Sequence, residues 1–226
     1  MNISEIIQKS ILIRDYLKYF NDHEENKIDT ELLPVPPFKV SNEIKLIIIG
    51  QDPTIRHEEL RIKIDTTLNL DKSGALKTYI EKICKILEIE IENIYATNVF
   101  KYFYKIPPAD TLEILQDHLA PNLKLLNDEI EPYKKVPIIT LGEPVLKLLI
   151  KKENPKKMTY YWDYNSQTKS TDGEFKYSLP EENLLSRTIF PIPHQPSSIK
   201  EFYFKTFEKY ILFIKEKASY QLVGGT

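Results

Sequence analysis

The stretch Ile44-Lys45-Leu46-Ile47-Ile48-Ile49-Gly50-Gln51-Asp52-Pro53 decides how this chain can fold. Its apolar run is typical of a strand buried inside a parallel sheet, and it ends on a glycine followed by polar residues. Similar runs recur at helix-length intervals: Ile94–Thr97 before Asn98, Val136–Leu141 before Gly142-Glu143, and Ile189–Pro193 before His194. We therefore predict an α/β protein, a three-layer α/β/α domain around a central, mostly parallel, four-stranded sheet.

Three polar residues follow the carboxyl ends of these predicted strands. Ligands of open α/β sheets bind outside the carboxyl ends of the strands, so we expect Asp52, Asn98 and His194 to converge on one cleft. A carboxylate can activate a water, an amide can donate and accept hydrogen bonds, and a histidine can donate to a leaving group. Local sequence also allows a simpler interpretation, in which Asp52 and Asn98 cap turns and His194 is a loop residue.

Composition limits the classes of protein that the chain can belong to. Its 226 residues suit one domain, and a hydrophobic content of 42% is enough for a core. The net charge of −2 does not indicate a globally basic nucleic-acid binder, so phosphate contacts would need a local patch. The single cysteine, Cys84, excludes an internal disulfide and a four-cysteine metal site, and we expect no metal and no cofactor. Since we find no signal peptide and no apolar run of about 20 residues, we expect a cytoplasmic monomer without membrane contact.

Between the strands, the pattern predicts helices and loops. We expect helices over residues 2–20, 75–88 and 143–152, an extended segment at 33–38, and a helix opened by Asp110 and interrupted by Pro121. We interpret residues 53–72 as a loop with one short strand around Thr67–Leu70. A last helix opens at Ser198 and ends near Lys217, so a single domain covers residues 1–217 and residues 218–226 form a flexible tail.

Residues 151–178 are the least regular stretch, and we predict an insertion or a DNA-contacting loop there. Lysines precede several tyrosines in this segment, and Lys156 and Lys157 are our candidates for contacts with a nucleic-acid backbone. A basic run is more often simply a solvated face, so this alternative stays open.

Taken together, the motifs resemble the uracil-DNA glycosylase superfamily, whose best-known branch carries the sequence GQDPYH after its first strand. Gly50-Gln51-Asp52-Pro53 is similar to that motif, Asn98 to the asparagine that reads the pairing edge of the base, and the residues from His194 to Ser198 to the late HPSPLS motif. The resemblance covers roughly residues 30–215. It implies an enzyme that hydrolyses the N-glycosidic bond of a base flipped out of single- or double-stranded DNA.

The resemblance also implies roles for individual residues. Asp52 and His194 are implied to be catalytic, the first stabilising the sugar cation and the second the leaving base. Ile199 would be an apolar wedge in DNA, although packing in the core explains it equally well, and Ser198 could be only a helix cap. The implied base-binding residues are Gln51, Thr54, Leu68 and Asn98, and the implied DNA-binding residues are Ser197, Ser198, Ile199, Lys156 and Lys157.

The chain departs from the family where the base is selected. Thr54 stands where the family has the tyrosine that blocks 5-substituted pyrimidines, and Leu68 stands near the position of its stacking aromatic ring, unless Tyr102 or Phe103 substitutes. We therefore predict a pocket for uracil or a larger 5-modified pyrimidine, in base-excision repair or in defence against modified viral DNA. Two other interpretations stay open: a non-catalytic nucleic-acid-binding module on the same fold, and a small-molecule nucleoside hydrolase.

Overall fold

The computed structural model describes residues 1–19, 27–108, 112–151, 156–165, 167–168, 170–171, 173–194 and 206–223. In chain order its elements are α1 (Ile3–Leu17), β1 (Phe38–Lys39), β2 (Leu46–Gly50), α2 (Glu58–Arg61), α3 (Ala75–Leu87), β3 (Ile94–Asn98), α4 (Leu112–Asp117), α5 (Leu119–Ile130), β4 (Ile138–Leu141), α6 (Glu143–Leu149), α7 (Met158–Tyr161), β5 (Tyr164–Asn165), β6 (Ser170–Thr171), β7 (Ile189–Ile192) and α8 (Phe207–Val223).

The central sheet has five strands in the order β1-β3-β2-β4-β7. The four predicted strands are β2, β3, β4 and β7, and neighbours among them pair in parallel. The short strand β1 adds an antiparallel edge beside β3, where the proline-rich extended segment ends. The predicted mostly parallel sheet and the three-layer α/β/α fold are confirmed, and β1 is the additional strand.

The four parallel strands form because they are apolar on both faces. Every residue in β2, β3, β4 and β7 is buried, as expected for a sheet covered by helices on both sides. Ile48 and Ala96 pack in the core under α3 and α8, while Ile47 and Ile49 pack in the core under α1, α4 and α5. Because both faces are covered, the open edge at the carboxyl ends of the strands remains the place for a site.

The predicted short strand around Thr67–Leu70 is wrong. Thr67–Asn69 is a single 3₁₀ turn in which Leu68 and Asn69 have left-handed backbones, with φ of 59° and 56°. The apolar alternation suggested a strand, but hydrogen bonds from the backbone and hydroxyl of Thr67 to the Pro36 carbonyl pin the segment as a turn. The turn brings the side chain of Leu68 against the end of β2.

Several helix boundaries also differ from the sequence prediction. The break near Pro121 is present: α4 ends at Asp117, and Pro121 lies in the first turn of α5, where its missing N–H costs no helical hydrogen bond. The helix α8 continues to Val223, so the predicted tail is helical up to that residue. The predicted caps Asp110 and Ser198 lie outside the described residues. Within the described part of the chain, no helix is both long and apolar enough to cross a bilayer.

Candidate active site

The carboxyl ends of β2, β3 and β7 open into one cavity of about 470 Å³. Asp52, Asn98 and His194 all line it, so the structure brings together the three residues that the strand ends predicted to converge. We call this strand-end side, defined by these three residues, the inner wall. The opposite side is the outer wall, formed by residues 60–77, and its leucines and lysines that line the cavity are Leu60, Lys63, Leu68, Lys72, Leu76 and Lys77.

Two glycines allow the side chains of the inner wall to lie against the sheet. Gly50 pairs with Asn98 in the register of β2 and β3, and a Cβ atom at Gly50 would collide with Asn98 Oδ1. Any larger residue there would displace the carboxamide. Gly142 has a left-handed φ of 94°, and its Cβ would lie 3.4 Å from the Cβ of His194. Glycine is therefore required at the first position for space and favoured at the second by the backbone.

Asp52 is held by hydrogen bonds on both carboxylate oxygens. Gln51 Nε2 donates to Oδ2 at 2.7 Å, and the backbone N–H of Thr54 donates to Oδ1 at 2.8 Å. Burial raises the pKa of Asp52 to about 6, and the hydrogen bonds from Thr54 and Gln51, together with the charge of Arg61, only partly oppose this. The group is therefore ionised at neutral pH yet titrates close to it, which suits a carboxylate that accepts a proton.

Asn98 and His194 contribute an amide and an imidazole to the cavity wall. Asn98 is 1% exposed, and its Oδ1 has no hydrogen-bond partner. Buried polar atoms are normally paired, so this acceptor is open to a donor from a ligand or an ordered water. Burial lowers the pKa of His194, so its imidazole is uncharged at neutral pH and keeps one N–H to donate.

Arg61 fixes the loop that follows Asp52, and sequence reasoning missed it. Its buried guanidinium donates to the carbonyls of Ile55, Tyr104 and Lys105 at 2.9, 3.2 and 3.1 Å. These bonds tie the loop after β2 to the segment after β3. A single arginine in a charged stretch carries no sequence signal for such a role, because the partners are backbone carbonyls far along the chain.

Not every predicted base-binding residue lines the cavity. Leu68 does, but the Gln51 side chain turns to Asp52, and the Thr54 hydroxyl accepts a hydrogen bond at 2.8 Å from the backbone N–H of Tyr104. The Thr54 side chain thus faces the Tyr104 backbone, and Thr54 is not among the residues that line the cavity. Tyr102 and Phe103 are 0% and 2% exposed and lie outside the cavity lining.

The predicted DNA-binding residues lie apart from the cavity or beyond the described residues. Ser197, Ser198 and Ile199 lie outside the described part of the chain. Lys156 and Lys157 precede α7, which Trp162 anchors to the sheet through a hydrogen bond of 3.1 Å from Nε1 to the Pro191 carbonyl.

The surface of α7 carries an exposed aromatic ring between lysines. Tyr160 is 42% exposed, and the Nζ atoms of Lys156 and Lys176 lie 5.1 and 5.0 Å from its ring centroid. The backbone N–H of Met158 donates to Glu143, the residue that follows Gly142 after β4, at 2.9 Å. The predicted basic segment is thus anchored near the same sheet edge as the cavity.

The model of the Uracil DNA glycosylase superfamily matches residues 37–216. The match spans all five strands of the sheet and the complete cavity lining. No curated protein matches the chain.

Proposed function

Because the chain belongs to the uracil DNA glycosylase superfamily, we propose that it is a monofunctional DNA glycosylase that removes a flipped pyrimidine, either uracil or a base enlarged at its 5-position. One observation carries the proposal. A carboxylate with a pKa near 6, an unpartnered buried amide oxygen and an uncharged imidazole line the same cavity. Each matches one requirement of glycosidic hydrolysis: a group for the sugar cation and water, a reader of the base, and a donor to the leaving base.

Base recognition begins with extrusion of the target nucleotide, because its glycosidic bond is out of reach within a stacked duplex. The unpartnered Oδ1 of Asn98 accepts from an N–H on the pairing edge of the base, and its Nδ2 can donate to a neighbouring acceptor. Leu68 lies beside Gly50 and Asn98 at the cavity wall and packs against the face of the ring. An incoming base thereby satisfies an acceptor that the fold alone leaves unpaired.

Cleavage breaks the bond between C1′ and the base nitrogen, and the bonding electron pair leaves with the base. The sugar becomes oxocarbenium-like, and the ionised Asp52 stabilises this cation and orients a water toward C1′. Asp52 then accepts the proton that the water loses. His194 donates its N–H to the oxygen of the departing base, where negative charge develops.

The cavity between the inner wall and the outer wall measures about 470 Å³. It has to hold the sugar of the flipped nucleotide as well as the base. Leu68 lines it near the place where the resembling family has an aromatic ring, and an aliphatic side chain there leaves space beside the base. This space supports the proposal of a 5-modified substrate, and the identity of that base decides between base-excision repair and defence against modified viral DNA.

Binding of DNA needs local positive charge, because the chain has a net charge of −2. The outer wall supplies Lys63 and Lys77 at the cavity mouth, and the first turn of α3 carries no acidic residue and no side-chain cap. We assign Lys156 and Lys157, beside the exposed Tyr160, to the phosphates of the flanking strand. Ser197, Ser198 and Ile199 keep their proposed roles at the phosphate and in the base stack.

The test is excision by the purified protein on oligonucleotides that contain uracil, thymine, 5-hydroxymethylcytosine or glycosylated cytosine. We expect release of one of these bases, an intact abasic strand, and no adduct trapped by borohydride. The matched control is Asp52→Asn, which should bind the same DNA without releasing the base. No release from any of these DNAs, or equal release by the control, would contradict the proposal. Release from free nucleosides without any DNA affinity would instead identify a nucleoside hydrolase.

A further inference from the structure

A charged network lies completely inside the protein directly behind Asn98. The side chains of Lys101 and Glu129 are both 0% exposed, and Lys101 Nζ lies 2.6 Å from Glu129 Oε2. The hydroxyl of Tyr95 donates to Glu129 Oε1 at 2.9 Å. Lys101 Nζ also donates to the backbone carbonyl of Asn98 at 2.7 Å. The network therefore joins helix α5 to the last residue of β3, which carries the amide in the cavity.

Stability alone does not account for this pair. Desolvation of two charges is costly, and replacing a buried ion pair by apolar residues of similar size is often neutral or stabilising. Two charged groups in the core are therefore weak evidence for a stabilising role. Their contact with the Asn98 carbonyl points instead to a role in the geometry of the site.

Asn98 needs such support because the Oδ1 atom of its side chain has no hydrogen-bond partner that would hold the amide in place. The chain leaves the sheet immediately after it, and the N–H groups of Val99 and Phe100 donate to the carbonyls of Gly50 and Gln51, both at 2.9 Å. The ammonium of Lys101 then reaches back and closes this turn on the Asn98 carbonyl. Orientation through the backbone leaves Oδ1 unpartnered for a ligand.

We propose that Lys101 and Glu129, with Tyr95, are positioning residues that set the orientation of Asn98 and thereby the selectivity for the target base. This inference rests on the proposed function, since it assigns the reading of the base to Asn98. It predicts that loss of the network reduces the preference for DNA with the target base over DNA without it, while the affinity for DNA in general is retained. A purely structural network would change both affinities together.

The experiment uses the full chain with Asp52→Asn, so that the DNA remains intact. Into this background we introduce Lys101→Met together with Glu129→Leu, which removes both charges and leaves neither one buried alone. We expect the ratio of affinities for target-containing and target-free DNA to fall by about 10- to 100-fold, while affinity for target-free DNA is retained. An unchanged ratio, or a parallel loss of both affinities, overturns the inference.

A double-mutant cycle tests whether the network acts through Asn98. In the presence of Asn98→Ala, the same pair of substitutions should cause no further loss of selectivity. A further loss would mean that the network acts elsewhere, and would overturn the inference. The matched control is Arg187→Met, which removes hydrogen bonds to the carbonyls of Ile130, Tyr133 and Val136 and should leave the ratio unchanged.

A measurement without any substrate separates failure of this inference from failure of the proposed function. If the unsubstituted protein neither excises nor prefers any base, the proposed function fails. The positioning role is then tested by the side-chain amide NMR signals of Asn98, compared between the unsubstituted chain and the Lys101→Met, Glu129→Leu variant. We expect these signals to shift or broaden in the variant. Unchanged signals overturn the inference.

Discussion

The two walls of the cavity are built in opposite ways. The inner wall consists of residues at or just after strand ends, and its backbone is held by the sheet and by buried hydrogen bonds. The outer wall contains the end of the short helix α2, a 3₁₀ turn with two left-handed residues, the first turn of α3 and the segments between them, and much of it is exposed. In the proposed function, the inner wall carries the groups for bond cleavage, whereas the outer wall carries Leu68 and the lysines that line the cavity.

In the proposed function, this difference assigns bond cleavage to the inner wall and the choice of DNA and of base to the outer wall. Groups that touch a developing charge must be pre-oriented, and strand ends inside a packed sheet provide that. A wall made of turns can change its side chains without disturbing the sheet. We therefore expect substitutions in the inner wall to reduce cleavage, and substitutions in the outer wall to change which DNA is bound or which base fits.

The largest effect should come from the inner wall, through Asp52→Asn. We expect single-turnover excision to fall by roughly 10²–10⁴-fold while DNA affinity is retained, because the amide keeps the shape but cannot accept the proton of the water. The Gln51 side chain can rotate its amide to meet the new Nδ2. A rate equal to that of the unsubstituted protein, measured with enzyme in excess over DNA, would remove Asp52 from the mechanism.

The pH dependence of excision should show the raised pKa of the same residue. Asp52 acts as the ionised form, so the single-turnover rate should fall about tenfold per pH unit below a pKa of about 6, and not below the ordinary value of 3.8. An acid limb near pH 4 would show that burial does not control this group. DNA affinity must be measured at each pH, so that weaker binding is not mistaken for slower cleavage.

Ionisation of Asp52 has opposite effects on activity and on stability: it is required for excision but lowers the free energy of unfolding. A carboxyl whose pKa is higher in the folded state than in the unfolded state destabilises the fold at pH values above both, and this penalty disappears as the pH falls through 6 toward 3.8. Asp52→Asn should therefore raise the unfolding free energy at pH 7 by about 1–3 kcal/mol and have little effect near pH 3.5. Chemical denaturation of both proteins at the two pH values measures the difference.

Most of the inner wall was predictable from sequence, for a physical reason. Buried parallel strands need continuous apolar runs, so their ends are visible, and Asp52, Asn98 and His194 follow directly from the ends. Gly50 is visible in the same way, because the apolar run of β2 ends on it. The family match then adds the chemistry that the strand pattern alone does not specify.

The outer wall and the supports behind the site were not predictable in this way. The turn at Leu68 has an apolar alternation like that of a strand, and contacts with Pro36, far along the chain, decide its conformation. Nothing in the sequence marks Lys101 and Glu129, because only the fold shows that they meet each other in the core. Thr54 lies beside Asp52 as the motif predicts, but its side chain faces the Tyr104 backbone and not the cavity.

A smaller effect should come from Leu68, where the two walls meet. A non-glycine residue with a left-handed backbone costs about 1–2 kcal/mol, so Leu68→Gly removes strain while it removes apolar packing. We expect the unfolding free energy of Leu68→Gly to stay within about 1 kcal/mol of the unsubstituted value. Excision should slow by about tenfold, equivalent to about 1.4 kcal/mol, because the base loses an apolar neighbour.

The matched control is Leu68→Ala, which also removes the apolar packing but keeps the strained backbone. It should be less stable than Leu68→Gly and equally slow in excision. If the alanine variant is the more stable one, backbone strain does not matter at this position. If both variants excise at the normal rate, the side chain of Leu68 does not contact the base.

The smallest effect should come from Lys156 and Lys157, which lie outside the cavity lining. Lys156→Glu with Lys157→Glu should weaken DNA binding and make the slope of log affinity against log salt shallower, by about one unit for each phosphate that the protein no longer neutralises. Excision from saturated complexes should be unchanged, since neither lysine lines the cavity. The control is Lys45→Glu with Lys134→Glu. These substitutions change the net charge equally, but they lie before the amino ends of β2 and β4, at the end of the strands opposite the cavity. If both pairs change the slope equally, overall charge explains the result, and α7 is not a DNA-binding surface.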